Sequence, residues 1–179
     1  MGSVSMGNGD IIGILDLTLL DRGASEEDLV RLCERAVAHR VAAVCVFSEH
    51  VRFVRGLLPE EVKVASVVGG FPVGWRDPTK VSKAISEAID FGADEIDCVL
   101  EPTPNGGDAS GEDLQILSAM RDACGEKTLK VIIETPLMDE HSIRAISRLA
   151  MASGADFVKT CTGKRGDCTD EDARILSME

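Results

Sequence analysis

Short apolar runs alternate with longer amphipathic segments along this chain. The apolar runs are three to seven residues long, and they predict six strands, at about 12–16, 41–47, 62–68, 95–100, 129–133 and 157–159. The amphipathic segments place apolar residues at helical spacing, and they predict helices at about 25–36, 49–58, 77–91, 112–124, 139–153 and 169–179. The pattern therefore predicts a strand followed by a helix, repeated six times.

Start and stop signals separate these segments. Ser25 and Asp28 are spaced as a capping box before the first helix, and Thr169 and Asp172 repeat that spacing before the last. Asp77 precedes a proline at a predicted helix start. Three glycines follow predicted helices and are expected to end them: Gly92, Gly125 and Gly154.

Alternating strands and helices are typical of an α/β protein with a parallel sheet. The repeat favours a TIM-type (β/α)8 barrel, which needs about 200 to 250 residues, so 179 residues predict an incomplete barrel of about six βα units. We expect residues 1–179 to form one partial barrel domain. A flavodoxin-like open sheet is the alternative, but its first turn usually carries a glycine-rich phosphate loop, and residues 16–20 contain no glycine.

Composition narrows the class of protein. The chain is 44% hydrophobic, which allows a substantial core. Its first ten residues do not resemble a signal peptide, and no apolar run approaches membrane-spanning length. Six cysteines without CxxC spacing indicate reduced thiols and no zinc cluster. We therefore expect a cytoplasmic protein without a membrane partner or metal.

The net charge of −12 argues against nucleic acid as a partner, because no basic stripe is present and aromatic residues make up only 3%. A phosphorylated metabolite remains possible. It would be held locally, by helix N-termini or a few cations.

An internal repeat carries two candidate catalytic residues. Residues 92–97 and 154–159 both begin Gly-Ala-Asp, and Asp97 and Lys159 lie five residues after their glycines. Equal offset gives equal side-chain parity, so both are expected to project into one barrel interior. Desolvation there would lower the pKa of Lys159 and free its amine for attack on a carbonyl. Alternatively, Gly-Ala-Asp is a common helix-to-strand turn, and Lys159 an ordinary strand-end lysine whose head reaches water.

A second pair shares parity on the fifth predicted strand. Lys130 and Glu134 are four residues apart, so both are expected on one face of that strand. They are predicted to form a buried ion pair that supports the site without taking part in catalysis.

Five segments together resemble deoxyribose-phosphate aldolase, in the same order and with similar gaps: 16–20, 67–74, 92–97, 130–135 and 154–163. The resemblance runs from about residue 16 to residue 178. It implies a class I aldolase that reversibly splits 2-deoxy-D-ribose 5-phosphate, a small phosphorylated sugar, into acetaldehyde and D-glyceraldehyde 3-phosphate. The family works through a lysine Schiff base, so the resemblance implies neither metal nor cofactor.

The resemblance also assigns roles. Lys159 matches the Schiff-base lysine of the motif Val-Lys-Thr-x-Thr-Gly, and Asp97 matches the acid that relays protons during imine formation. Asp16 and Thr18 match positions near the hydroxyl end of the substrate, and Lys164 matches a lysine near its phosphate end. These last three residues have plain alternatives: a turn cap, a strand-end hydrogen-bonding group and a solvated loop charge.

The chain departs from the family pattern at several points. A second lysine on the seventh strand, a following glycine pair and a small-residue turn after the eighth have no counterpart before Glu179. Residues 101–104 in the predicted loop 101–111 differ from the family, and Gly69-Gly70 inserts a residue. A catalytically impaired binding or regulatory protein, and a Schiff-base enzyme for another aldehyde, therefore stay open. Unpaired edge strands also predict a fragment of a longer product or a homo-oligomer.

Overall fold

The sheet has six parallel strands in sequential order. The computed structural model describes residues 11–103 and 108–179, and within them each strand pairs with the next along the chain. The strands are β1 Asp16–Leu19, β2 Ala43–Phe47, β3 Lys63–Val68, β4 Glu95–Val99, β5 Thr128–Ile132 and β6 Phe157–Lys159. This sequential parallel order, with a helix in each crossover, is that of a (β/α) barrel.

A helix follows every strand, as the periodicity predicts. The helices are α1 Glu26–His39, α2 Ser48–Leu57, α3 Pro78–Asp90, α4 Gly111–Cys124, α5 Glu140–Ala152 and α6 Asp170–Ser177, with a short 3-10 helix at Thr135–Leu137. Part of the predicted loop 101–111 lies outside the described residues. Within residues 11–103 and 108–179, no helix combines the length and the apolar character that crossing a membrane requires.

One strand prediction is wrong. The first strand was expected at 12–16 and lies instead at β1, because residues 11 and 12 are helical and a turn follows them. An apolar run of this length does not by itself separate strand from helix. Pairing with β2 decides the position, since it aligns Asp16 with Ala43 and Leu19 with Val46.

The predicted helix caps are confirmed. Capping boxes close the starts of α1 and α6, where Ser25 and Thr169 each accept a hydrogen bond from the backbone N–H three residues on. Asp77 accepts hydrogen bonds from the first free N–H groups of α3. Gly125 follows α4 with a positive φ of 56°, a conformation that favours glycine. These caps fix where α1, α3 and α6 begin and where α4 ends.

Two apolar layers show that the sheet curls. The larger layer lies between the sheet and the helices. The smaller layer contains only strand and loop residues, and it fills the inner face: Ala43, Cys45, Phe47, Ala65, Val67, Phe71, Val99 and Ile132. Helices therefore cover one face of the sheet, which excludes the flavodoxin-like alternative. The architecture is the predicted incomplete (β/α)8-type barrel of six βα units.

The two edges of the described sheet are β1 and β6, and apolar side chains near them are exposed. Ile14 is 65% exposed and Phe157 is 58% exposed. Across the curl, the Lys130 side chain from β5 reaches Asp16 on β1, 114 residues away in sequence. An ion pair in the interior thus joins the two sides of the incomplete barrel.

Candidate active site

Five charged side chains project from the inner face of the curled sheet: Asp16 on β1, Glu95 and Asp97 on β4, Lys130 on β5 and Lys159 on β6. Strand register aligns them, because Asp97 pairs with Lys130 and Lys159 pairs with Ile132 on the neighbouring strands. Alternate residues of each strand face the same side, which gathers the charges. Two cations and three carboxylates therefore form one interior cluster.

Lys159 and Asp97 form an ion pair within this cluster. The ammonium of Lys159 donates a short hydrogen bond to Asp97 Oδ2 and lies 3.7 Å from Asp16 Oδ2. Asp97 is fully buried, whereas the Lys159 side chain is 35% exposed. The expectation that Asp97 and Lys159 face the same interior is confirmed, and the Lys159 side chain is only partly covered.

Lys130 has other partners than the one predicted. Its Nζ lies 2.6 Å from Asp16 Oδ2, 2.5 Å from Glu95 Oε2 and 3.7 Å from Asp97 Oδ1. The predicted Lys130–Glu134 ion pair is therefore wrong. Strand β5 ends at Ile132, and Glu134 adopts a left-handed φ of 55°, so the strand alternation no longer applies there. The alternation of side chains between the two faces of a sheet predicts the face of a residue only within the strand.

The electrostatics of Lys159 oppose the expected depression of its pKa. Burial lowers the pKa of Lys159, but the negative charge of Asp97 and the hydrogen bond to it together raise the pKa by more. The net effect is a pKa above the ordinary value for lysine. The same balance raises the pKa of Lys130, where burial is outweighed by Asp97, Asp16 and Glu95. In this resting arrangement Lys159 is a paired ammonium. Attack on a carbonyl therefore requires that its proton first move away.

A cavity of about 140 Å³ opens beside the Lys159 side chain. It lies toward the carboxyl ends of the strands, where active sites of (β/α) barrels are found. Val67, Phe71 and Ile132 supply apolar walls, and Thr18 and Thr162 supply hydroxyl groups. The cavity can therefore hold a small molecule that presents both carbon and hydroxyl surface.

The wall of this cavity also contains a cysteine. Cys45 on β2 is buried, and burial together with the charge of Asp97 raises the pKa of its thiol to about 12. The thiol is therefore protonated at neutral pH and acts there as a small apolar group.

The structure treats the other predicted site residues differently. Thr18 lines the cavity, and its hydroxyl donates to the Asp16 carbonyl at 3.2 Å. Lys164 is exposed and does not line the cavity, although its backbone N–H donates to Thr162 Oγ1 at 3.2 Å. The structure thus gathers Asp16, Asp97, Lys159 and Thr18, and it leaves the Lys164 side chain outside.

Sequence reasoning missed an ion pair at the mouth of the barrel. Arg165 donates two hydrogen bonds to the carboxylate of Glu101, at 2.6 and 2.9 Å. Its Nε lies 3.8 Å from Glu134 Oε2, and Glu134 accepts hydrogen bonds from the backbone and hydroxyl of Thr162. The sequence signal was the unusual segment 101–104, but nothing local connects it to residue 165.

No metal site accompanies this cluster in the part of the chain that the structure describes. No group of three or more His, Cys, Asp or Glu side chains there is arranged to hold a metal ion. The acidic groups of the interior are instead paired with the two lysines. The reactive groups around the cavity are the Lys159 amine, the Asp97 carboxylate and the hydroxyls of Thr18 and Thr162.

Comparison with known proteins places this chain in a family. A family model described as DeoC/LacD family aldolase matches residues 11–178. A deoxyribose-phosphate aldolase of Clostridioides difficile is 36% identical over 172 residues, covering 93% of this chain and 76% of that protein. One of Halalkalibacterium halodurans is 37% identical over 172 residues, covering 93% and 75%.

A solved structure supports the same family. The tetrameric deoxyribose phosphate aldolase of Aeropyrum pernix superposes with a TM-score of 0.83 at 26% identity, covering 95% of this chain and 72% of that one. The chain thus spans about three quarters of the length of the two curated relatives, and six βα units of the barrel. This chain belongs to the DeoC/LacD family of aldolases.

Proposed function

We propose that this chain is a deoxyribose-phosphate aldolase, which reversibly cleaves 2-deoxy-D-ribose 5-phosphate to acetaldehyde and D-glyceraldehyde 3-phosphate. The observation that carries the proposal is the ion pair of Lys159 with the buried Asp97, beside a small cavity at the carboxyl ends of the strands. Family membership and the names of the two curated relatives support it.

Lys159 is the proposed nucleophile. After its ammonium loses a proton, the amine attacks the aldehyde carbon C1 to form a carbinolamine, and loss of water gives an iminium ion. The C2–C3 bond then breaks as the C3 hydroxyl loses its proton. C3 becomes the aldehyde carbon of D-glyceraldehyde 3-phosphate, which leaves, and the electron pair of the broken bond forms an enamine on C1 and C2. Protonation of C2 and hydrolysis release acetaldehyde and restore the amine.

Asp97 is the proposed proton relay. Its carboxylate already touches the Lys159 ammonium, so it can accept the proton that leaves the nitrogen and return it to the departing hydroxyl. Asp97 Oδ1 is buried without a hydrogen-bond donor among the described residues, although Lys130 Nζ lies 3.7 Å away. In the proposed mechanism this oxygen accepts a hydrogen bond from a water molecule that carries protons during imine formation.

Three residues are proposed to bind the substrate. Asp16 and Thr18 serve the hydroxyl end, a role supported by the position of Thr18 in the cavity wall and of Asp16 beside Lys159. Lys164 serves the phosphate end, supported by its exposed charge in the loop that follows β6. Its backbone N–H donates to the hydroxyl of the cavity residue Thr162, so Lys164 belongs to the loop that forms part of the cavity wall.

Reductive trapping tests the nucleophile. Acetaldehyde with borohydride should add the mass of one ethyl group at Lys159, located by peptide mass spectrometry. Lys159→Arg should give no such adduct and no turnover of deoxyribose 5-phosphate. Lys83→Arg is the matched control, because Lys83 is a 78% exposed lysine on α3. An unlabelled Lys159 in the unaltered chain would refute the proposal and favour a silent binding protein.

The substrate proposal has its own test. Turnover of 2-deoxyribose 5-phosphate should exceed that of unphosphorylated 2-deoxyribose, and Lys164→Met should reduce the difference. Equal turnover of both sugars would instead favour a Schiff-base enzyme for a different aldehyde, an alternative supported by residues 101–104 and Gly69-Gly70, which depart from the family pattern.

We also propose that the chain assembles as a homo-oligomer. An opening of about 380 Å³ near the sheet edges is lined by Ile14, Phe157 and the interior Lys130, and a second copy would cover it. The Aeropyrum pernix protein is described as tetrameric. Light scattering coupled to size-exclusion chromatography measures the mass in solution, and a stable monomer would contradict this assembly.

A cytoplasmic location is proposed for the same enzyme. All six cysteines are free thiols, and four of them are buried. Thiols without disulfides suit a reducing compartment. Cell fractionation should recover the protein with cytoplasmic markers; recovery in an oxidising compartment would overturn the assignment.

A further inference from the structure

Glu101 joins three loops at the mouth of the barrel. Its Oε2 accepts a hydrogen bond from the Gly74 N–H at 3.0 Å, in the loop after β3. Its two carboxylate oxygens receive Arg165 from the loop after β6, and its own carbonyl accepts a hydrogen bond from Arg76 at 2.8 Å. The approach of the first loop is close, because a Cβ on Gly74 would lie 2.6 Å from the Glu101 nitrogen.

Arg165 extends this connection to the loop after β5. Glu134 follows β5 and is completely buried, and Arg165 is its one ion-pair partner among the residues that the structure describes. A buried carboxylate needs a counter-charge or hydrogen-bond donors. Glu134 obtains the charge from Arg165 and the hydrogen bonds from Thr162, at 2.5 Å from its N–H and 2.9 Å from its hydroxyl.

The connection ends at the cavity. Thr162 lines the cavity and follows Lys159, another cavity residue, by three positions in the chain. A continuous set of contacts therefore runs from Glu101 through Arg165 and Glu134 to Thr162. Arg165 itself does not line the cavity, and Glu101 occupies both of its terminal nitrogens. In this arrangement Arg165 reaches the cavity through the residues that it holds.

We propose that Arg165 and Glu101 form a positioning pair, which holds Thr162 and the loop after Lys159 so that the part of the substrate beyond the imine carbon is bound. This inference rests on the proposed aldolase function. The pair is a positioning device because a two-pronged guanidinium–carboxylate contact fixes orientation as well as distance. The pair lies in the loops at the carboxyl ends of the strands, and Glu101 lies in the segment 101–104, which differs from the family pattern.

The pair makes a distinct kinetic prediction. Acetaldehyde has only a methyl group beyond the imine carbon and lacks the rest of the sugar phosphate. Reductive trapping at Lys159 should therefore stay within twofold in Glu101→Gln and Arg165→Met. The KM for deoxyribose 5-phosphate should rise about tenfold in each, the effect of losing a charge-assisted contact. The kcat should change less than threefold. The double variant should match Arg165→Met within threefold, because residues that act as a unit are not additive.

A matched control and a second readout complete the experiment. Arg174→Met removes a similar two-pronged Arg–Glu contact on α6, where Arg174 and Glu171 are both more than half exposed, and it should leave KM within twofold. Hydrogen exchange of peptides covering residues 160–166 should quicken in Glu101→Gln and Arg165→Met, and not in Arg174→Met. This exchange measurement needs no activity.

The outcomes separate the two proposals. Absence of a trapped adduct in the unaltered chain refutes the aldolase, while exchange still reports whether the pair orders the loop. A normal adduct with unchanged KM in Arg165→Met overturns the positioning role. A lower KM in Glu101→Gln also overturns it, because a released Arg165 would then be binding the phosphate directly. Trapping that falls while KM rises shows that the pair maintains Lys159 or the fold instead, and overturns the positioning role likewise.

Discussion

Replacing Lys130 by methionine tests the interior charge cluster most directly. Methionine keeps an unbranched, apolar side chain but removes the ammonium, which lies 2.6 Å from Asp16 Oδ2 and 2.5 Å from Glu95 Oε2. The substitution leaves the carboxylates of Asp16, Glu95 and Asp97 in one interior, with Lys159 as the remaining cation of the cluster. Both the lost attraction and the uncovered repulsion should lower the free energy of unfolding.

The magnitude follows from these distances. Two unit charges 2.6 Å apart attract by roughly 6 kcal/mol at an effective dielectric constant of about 20. The desolvation of Lys130 offsets much of this attraction, and removing one partner of a buried ion pair costs about 3–5 kcal/mol in other proteins. We expect Lys130→Met to lower the free energy of unfolding by about 3–5 kcal/mol, a large part of the ~5–15 kcal/mol that a domain usually has.

Urea unfolding at pH 7, followed by far-ultraviolet circular dichroism, measures this loss. Lys83→Met is the control, because the ammonium of Lys83 is exposed and 3.9 Å from Glu87; its effect should stay below about 1 kcal/mol. If Lys130→Met does not fold, adding Glu95→Gln should restore folding by removing one unpaired carboxylate. A loss under about 1 kcal/mol for Lys130→Met would refute the reasoning, since a buried pair would then be worth no more than an exposed one.

The pH dependence of the same variant has a definite sign. Neighbouring carboxylates raise the folded pKa of Lys130 above the ordinary 10.5, despite its burial. Its contribution to stability is therefore complete below pH 10.5 and is lost as the pH rises through the folded pKa. The stability difference between the unaltered chain and Lys130→Met should be constant from pH 8 to about 10 and shrink at higher pH. A difference that shrinks between pH 7 and 9 would contradict this assignment of charge.

Three further outcomes are expected. Iodoacetamide at pH 8 should label the exposed Cys168 in the native protein and should label Cys45 only after unfolding, because burial raises the pKa of Cys45 to about 12. Peptide mass spectrometry locates the label, and labelling of Cys45 in the native protein would contradict its burial in the cavity wall. Gly74→Ala should destabilise by about 1–3 kcal/mol in urea, because its Cβ would meet backbone at 2.6 Å, whereas Gly111→Ala, with open space around it, should change stability by less than about 0.5 kcal/mol. Ser25→Ala should cost about 1 kcal/mol in thermal unfolding through the lost cap of α1, and an unchanged midpoint would contradict that cap.

Much of the architecture could be predicted because its signals are local. The βα repeat, the capping boxes at Ser25 and Thr169 and the equal offset of Asp97 and Lys159 are all visible within short windows of sequence. Each depends on backbone periodicity or on contacts a few residues apart. For this reason the predicted barrel and the shared interior of Asp97 and Lys159 are confirmed by the structure.

The rest depended on contacts between distant segments. Nothing near Lys130 in the sequence indicates that its ion-pair partners are Asp16 and Glu95. The expected pairing with Glu134 does not form, because β5 ends two residues before Glu134. The direction of the Lys159 pKa was also mistaken, because the sequence shows burial but not the distance to a carboxylate. Balance between opposing electrostatic effects requires coordinates.

The sequential strand order has a kinetic consequence. Each strand pairs with its neighbour through one helical crossover, so most of the sheet can assemble from contacts between adjacent βα units. The Lys130–Asp16 contact joins positions 114 residues apart and can form only once the sheet has curled. We therefore expect loss of this contact to accelerate unfolding while leaving the refolding rate nearly unchanged, so that the interior ion pair governs how long the native barrel persists.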